Sequence, residues 1–429
     1  MKHPYQCLPK EHRRWLSLHE YQSQELLKTY NAPILRGGAA STAEEVKSLV
    51  HSLGETLRAS QYISLVADMP AGGNAIIKSQ VLRGSRKGTM FTSGLKGGVQ
   101  IVQTAKQAQD VASKMLGHKL QTEKDVDGGT IVNKVYVSEL AELIDEWYLA
   151  MTIHREAYTP MLVISKAGGY SLEKITRGHP DTLLRYHFSV SEGITPDMIS
   201  QLSLDLGISS AEAEDLERVV HGLYKIFTER EATHLEINPL ARLSDGSFTC
   251  VSTDFTFDDA AAKRQKELFN LRDVEQEVPE EVEAEKHGLV YVKMDGNIGN
   301  VVNGAGLAMA TNDAIGLYGG RSANFLDGGG QATKQTMLQA FAIIMRDARV
   351  KTILVNIYGG ITNCAMIADS IIGAAEELGP LRVPVVVRLQ GTNSSEGLKL
   401  LEEANLGLYV EAGFGDAAKK AVELAAATK

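Results

Sequence analysis

The chain has 429 residues, enough for two or three domains, and with 44% apolar, 23% charged and 6% aromatic residues it reads as a globular protein. A formal charge of −9 and the lack of any basic stripe argue against nucleic acid as a partner, and no apolar run approaches the ~18 residues of a membrane span. Cys7, Cys250 and Cys364 are far apart and without metal-ligand spacing, so neither a disulfide framework nor a zinc site is indicated, and a reducing compartment fits.

Residues 1–15, MKHPYQCLPKEHRRW, read either as the remnant of a presequence or as a tail. Ser41-Thr42-Ala43-Glu44 has the form of a capping box, with Ser41 and Glu44 opening a helix that runs to about Leu53. Strand-like stretches follow at Ala75 to Gln80, Thr130 to Val137, Trp147 to Ile153 and Met161 to Ser165. Helical patterns cover Ala105 to Leu116, Pro196 to Leu206 and Ala211 to Thr228, so the first region is mixed α+β.

From Asp273 the stretch DVEQEVPEEVEAE holds seven acids and no base, and self-repulsion predicts an extended linker with the domain boundary inside it. Beyond Leu289 strands near Val290, Ala323, Ile353, Val385 and Leu408 alternate with helical stretches, which predicts a parallel sheet with helices on both faces. The expected domains are 16–264, an acidic linker over 265–288, and 289–429.

Four stretches carry candidate chemistry. In LVNIYGGITNCA, residues 354–365, Gly359-Gly360 follow a strand and open a helix from about Thr362; they serve either an anion facing the helix amides or only a tight turn. Asn303-Gly304-Ala305-Gly306 likewise follows a strand, but Met309 occupies the third small position of a dinucleotide fingerprint, which argues against NAD. Lys78 lies in a strand ahead of Gly84-Ser85-Arg86-Lys87-Gly88, either a cover for nucleotide phosphates or a basic surface loop. In HLEINPL, strand alternation puts Glu236 and Asn238 on one face, and Asp254 nearby completes an oxygen set suited to magnesium or, equally, a solvated edge.

With LSLHEYQSQELL at Leu16, SGLKGGV at Ser93, EINPL at Glu236, VNGAGLAMAT at Val302, ANFLD at Ala323, VNIYGGI at Val355 and VPVVVRLQGT at Val383, the chain resembles the β subunit of succinate–CoA ligase from about Leu16 onward. The resemblance implies an α/β chain: an N-terminal ATP-grasp domain (α+β), then a C-terminal flavodoxin-like doubly wound parallel-sheet CoA-ligase domain. It also implies a reaction of succinate, CoA and ATP or GTP through a phosphohistidine on a partner α subunit, which also makes most CoA contacts. By position, Lys78, Ser85, Arg86 and Lys87 would bind nucleotide phosphates, and Glu139 and Glu146 the nucleoside. Asn238 and Asp254 would hold Mg2+, Glu236 would orient the histidine, and Asn303 with Gly360, Ile361 and Thr362 would take succinate. A mitochondrial matrix location follows from the eukaryotic members.

The chain departs from the family pattern at Ser85 and Lys87, which replace glycines, at Phe255-Thr256, where a small residue and a lysine are usual, at Asn363 in place of arginine, and at Leu35, which matches neither the proline nor the glutamine found near the base. Two further readings stand beside the active ligase: a paralogue acting on a related dicarboxylic acid, and a non-catalytic partner that regulates the α subunit.

Overall fold

The computed structural model describes residues 15–59, 75–82, 88–121, 129–178, 180–329, 333–379 and 381–428. The chain divides into two compact units, Trp15–Gln276 and one that includes Glu277–Lys429. No described helix is long and apolar enough to cross a membrane.

Among its described residues the first unit holds three sheets, a small one of Met90–Phe91, Lys119–Gln121 and Thr130–Ile131 and two larger ones. The larger of these two, antiparallel, runs Leu16–Ser17, Thr253–Phe257, Ala232–Leu243, Leu143–His154, Thr159–Ser165, Leu184–His187, with Phe248–Cys250 paired to Ala232–Leu243. Helices Pro196–Leu206 and Ser210–Glu229 cover one face, where Leu202, Leu206, Val219, Leu223 and Ile226 pack on Leu149, Met151, Leu235 and Ile237. The sequence specifies these helices closely: Thr195 caps the first, Pro196 opens it and Gly207 ends it at φ 57°. The second sheet runs Gly37–Ala40, Val135–Glu139, Ala75–Ser79, Val99–Val102 under helices Ala43–Ala59 and Ala105–Met115.

Helix Ala43–Ala59 begins one residue later than the capping box predicts. Thr42 Oγ1, not Ser41, accepts from the Glu45 amide at 3.2 Å, and Glu45 in turn accepts from the Ser41 amide at 2.7 Å. Two Ser/Thr-x-x-Glu patterns overlap here, and the later one is used.

The acidic stretch is not extended. It contains the 3-10 turn Val274–Gln276 and the helix Pro279–Lys286. Repulsion is offset by partners distant in sequence: His19 bonds Asp273 at 2.8 Å, Lys293 Nζ bonds Glu280 at 2.7 Å, and Arg346 bonds Glu283 at 2.5 Å.

In the second unit Ile298–Val302, Thr352–Gly359, Val385–Gly391 and Tyr409–Val410 form a parallel sheet in that order. The expected strands near Val290 and Ala323 pair instead with each other, antiparallel, as Val290–Lys293 and Asn324–Asp327. Asn324–Asp327 still flanks Ile298–Val302, through the parallel bridge Ile298–Ser322 and a reciprocal asparagine exchange. Asn300 N donates to Asn324 Oδ1, Asn324 Nδ2 to Asn300 O and Asn300 Nδ2 to Asn324 O, at 2.9, 2.9 and 3.0 Å. Side-chain amides thus supply bonds that the backbone ladder lacks.

Counting that strand, the spatial order is second, first, third, fourth, fifth, the flavodoxin-like arrangement. Ile353, Val355 and Ile357 pack on the face that includes helices Lys334–Arg346 and Cys364–Leu378, while Leu354 and Val386 face helices Ala305–Leu317 and Phe414–Ala427. Helices on both faces make the sheet doubly wound.

Candidate functional site

In the first unit the chemistry gathers on one face of the larger sheet. Glu236 and Asp254 are directly opposed on neighbouring antiparallel strands. Like charges so placed repel each other, and a cation beside them would lower that repulsion. The Tyr148 hydroxyl donates to Glu236 Oε2 at 3.0 Å, and His234 Nε2 lies 3.4 Å from the same oxygen. Tyr148 is fully buried, and burial first, the charge of Glu236 second, raise its pKa well above the usual phenol value.

Asn238, two residues along, accepts from Gly169 N through Oδ1 at 2.8 Å and donates through Nδ2 to Tyr170 O at 2.9 Å. Gly169 has φ 72°, and a Cβ there would lie 2.1 Å from Glu146 Oε2. Glu146, Asn238 and the 168–170 turn therefore meet, with glycine required at their contact. Asn238 Nδ2 also lies 3.5 Å from Glu236 Oε1, so Asn238 shares a face with the opposed pair Glu236 and Asp254, side chains whose oxygens are of the kind magnesium takes.

Lys78 and Glu139 lie on the second sheet. Lys78 is only 5% exposed and donates to Glu20 Oε1 at 2.7 Å and to Val251 O at 2.8 Å. Val251 also packs with Leu35 and Ala241, so Leu35 borders the seam that holds Lys78. Glu139 is gripped by Arg36, whose Nε and backbone N donate to its two oxygens at 2.8 and 2.9 Å. Ser85, Arg86 and Lys87 lie outside the described residues, as does Cys7. Phe255 is buried in the core, and Thr256 bonds Thr233 at 3.2 Å.

In the second unit Asn303, Gly360, Ile361 and Thr362 come together where the first and third strands end. Their following helices lie on opposite faces, which is the switch point at which open α/β sheets bind ligands. Asn303 Oδ1 accepts from Tyr358 N at 2.9 Å; its Nδ2 donates to Tyr358 O at 2.9 Å and to Thr362 Oγ1 at 3.2 Å. Asn303 is thus a staple between the two loops. Asp327 Oδ1 accepts from Gly304 N and Gly329 N, both at 2.7 Å, and fixes the loop from its other side.

The helix after the two glycines starts at Cys364, not Thr362, because Asn363 caps it by accepting from Ala365 N at 2.8 Å. Of the pair only Gly359 is sterically required: a Cβ there would sit 2.5 Å from Thr362 O, whereas Gly360 faces open space. Buried Cys364 donates weakly to Gln390 O at 3.4 Å, and burial raises its thiol pKa.

A family model described as an ATP-grasp domain matches residues 17–242, and one described as CoA-ligase matches residues 301–429. A mitochondrial succinate–CoA ligase [ADP-forming] β subunit from Oryza sativa is 42% identical over 96% of this chain and 93% of its own. The chain belongs to the succinate–CoA ligase β-subunit family. Dictyostelium discoideum has both an ADP-forming relative, 40% identical over 96% of this chain and 89% of its own, and a GDP-forming one, 39% identical over 95% and 93%. Both have names ending in "mitochondrial", and near-equal identities separate the two nucleotides by no overall measure. An ATP citrate lyase from Methanothrix soehngenii shares the fold, with TM-score 0.63 and 17% identity over 95% of this chain and all of its own.

Tyr148, Glu20, Arg36 and Asp327 are contacts that the sequence reading passed over. Tyr148 was within reach of alternation, since Glu146, Tyr148 and Ala150 share a face and Ala150 stands opposite Glu236. The others depend on long-range pairing.

Proposed function

We propose that the chain is the β subunit of an active succinate–CoA ligase, converting succinate, CoA and ATP or GTP reversibly to succinyl-CoA, nucleoside diphosphate and phosphate with an α subunit. The observation that carries this reading is the opposed pair Glu236 and Asp254 beside Asn238 on one sheet face. In the reaction a histidine nitrogen of the α subunit displaces the nucleoside diphosphate from the γ-phosphorus. A succinate carboxylate oxygen then takes the phosphoryl group, and the CoA thiol displaces phosphate from the acyl carbon.

This chain's part is to bind and to orient. Lys78, with Ser85, Arg86 and Lys87, offsets phosphate charge, and Glu139 and Glu146 contact the nucleoside. Asn238 and Asp254 would hold magnesium, whose charge lowers repulsion on the triphosphate when bound. Glu236, steadied by Tyr148, orients the histidine that approaches. At the switch point Gly360, whose amide donates to Tyr358 O at 3.1 Å, Ile361 and Thr362 line the approach of a succinate carboxylate to the helix N-terminus, with Asn303 keeping the two loops in register. Most CoA contacts fall to the α subunit, and the mitochondrial matrix, by analogy with relatives so named, is the expected location.

The test is succinyl-CoA formation by this chain co-expressed with its α subunit, with ATP and GTP assayed separately. Turnover supports the ligase and names its nucleotide; a well-assembled complex inactive with both nucleotides overturns it.

A further inference from the structure

The LSLHEYQSQELL motif has no role in the reaction as derived, yet it begins a helix that buries polar residues. Glu20, Gln22, Ser23 and Gln24 in helix Glu20–Thr29 are all buried. Their contacts secure the helix start. His19 bonds Asp273 at 2.8 Å, Gln22 Nε2 donates to Leu271 O at 2.9 Å, and Gln24 Nε2 donates to Cys250 O at 3.3 Å. Tyr21 N donates to Gln80 Oε1 at 3.1 Å, and Gln80 Nε2 returns to Lys78 O at 3.1 Å. The helix start is thereby tied to the end of the Lys78 strand.

Glu20 occupies the first turn, where the helix dipole favours a negative charge. Its side chain is fully buried, that of Lys78 6% exposed, and the ammonium is 2.7 Å from Oε1. Lys78 comes from the second sheet, while its second acceptor, Val251 O, precedes the Thr253–Phe257 strand of the larger one. An ammonium has three donors. Among the described residues two have acceptors, and the third is open to a further oxygen.

We propose that Glu20 is a positioning residue for nucleotide binding, holding the Lys78 ammonium aimed at the seam between the two sheets. This rests on Lys78 as a phosphate ligand. A neutral amide at position 20 removes the counter-charge that anchors the buried ammonium, whereas a shortened carboxylate keeps the charge and loses the reach.

The test uses the chain assembled with its α subunit. Glu20→Gln, Glu20→Asp, Lys78→Met and the Glu20→Gln/Lys78→Met pair are compared for magnesium-nucleotide Kd by calorimetry and for the KM of each substrate and kcat. Glu20→Gln is expected to weaken nucleotide binding by about tenfold or more, with the KM for succinate and CoA unchanged. Glu20→Asp keeps the charge but shortens the reach, and its weaker binding tests the aim even where Glu20→Gln fails to assemble. The paired variant is no weaker than Lys78→Met alone.

Wild-type nucleotide affinity in assembled Glu20→Gln or in Glu20→Asp, or losses that multiply in the paired variant, overturns the proposal. Nucleotide binding without succinyl-CoA formation sinks the ligase reading alone, and the binding constants still decide the role of Glu20. A wild-type complex that binds no nucleotide overturns both.

Discussion

The Tyr148 hydroxyl reaches Glu236 Oε2 at 3.0 Å from the neighbouring strand and fixes one of the two oxygens of that carboxylate. Because burial and the nearby carboxylate hold the phenol well above its usual pKa, it stays a donor throughout the neutral range. Tyr148→Phe removes the donor and keeps the ring in the core. A bond to a charged group is worth about 1.5–3 kcal/mol, so kcat should fall by about tenfold or more while the nucleotide KM changes little. Steady-state kinetics decide it; an unchanged kcat in a folded variant would show that Glu236 does not depend on Tyr148.

Asp254 presents the opposite balance between activity and stability. Directly opposed carboxylates destabilise a sheet by about 0.2–1 kcal/mol, so in metal-free buffer Asp254→Asn should melt at the same temperature as the parent or slightly above it. Activity should move the other way, by about a hundredfold or more, as a charged oxygen leaves the candidate magnesium set. Thermal melts with and without magnesium-nucleotide test both halves. A variant that loses stability in metal-free buffer and keeps full turnover contradicts this account of the face.

Asn303 uses both ends of its amide on Tyr358, and that makes Asn303→Asp informative. An aspartate still accepts from Tyr358 N but faces Tyr358 O and the Thr362 hydroxyl with a negative charge. The carbonyl contact becomes repulsive, and the loop meets succinate with a like charge. The succinate KM should rise by about tenfold or more, with the nucleotide KM unmoved. A rise in both constants together would point instead to general loosening of the unit.

Local chemistry made much of this molecule legible. Pro196–Leu206 carries its cap, its opening proline and its closing glycine within the chain's own text, and Glu236 and Asn238 follow from alternation alone. The acidic stretch misled because Lys293, Arg346 and His19, which balance it, are set by tertiary contacts. The strand Ile298–Val302 is weak in sequence because it contains Gly299, whose added Cβ would lie 2.4 Å from Ile344 Cγ2. Close packing demands glycine there at the expense of strand propensity. Lys78 was legible as a cation in a strand, but its partner Glu20 is 58 positions away and no spacing rule connects them.

Away from the candidate site, Glu212 supplies a pH-dependent contribution to stability. Its carboxylate accepts from Ser209 N at 2.8 Å and Ser209 Oγ at 2.7 Å, closing a capping box, and from Arg242 Nε at 2.7 Å. These bonds, the backbone one foremost, hold its pKa down from 4.5 to about 2. A folded-state pKa below the unfolded one stabilises the fold above the unfolded value, and that stability is lost as pH falls from 4.5 towards about 2. Glu212→Gln keeps the side-chain length and one acceptor but removes the charge. At pH 7 it should cost about 1 kcal/mol, and the gap from the parent should narrow as pH falls below the unfolded carboxylate value. Urea midpoints near neutral pH and at about pH 3.5 measure it. A gap that stays constant between them would mean that the loss comes from packing, with the charge of Glu212 contributing nothing.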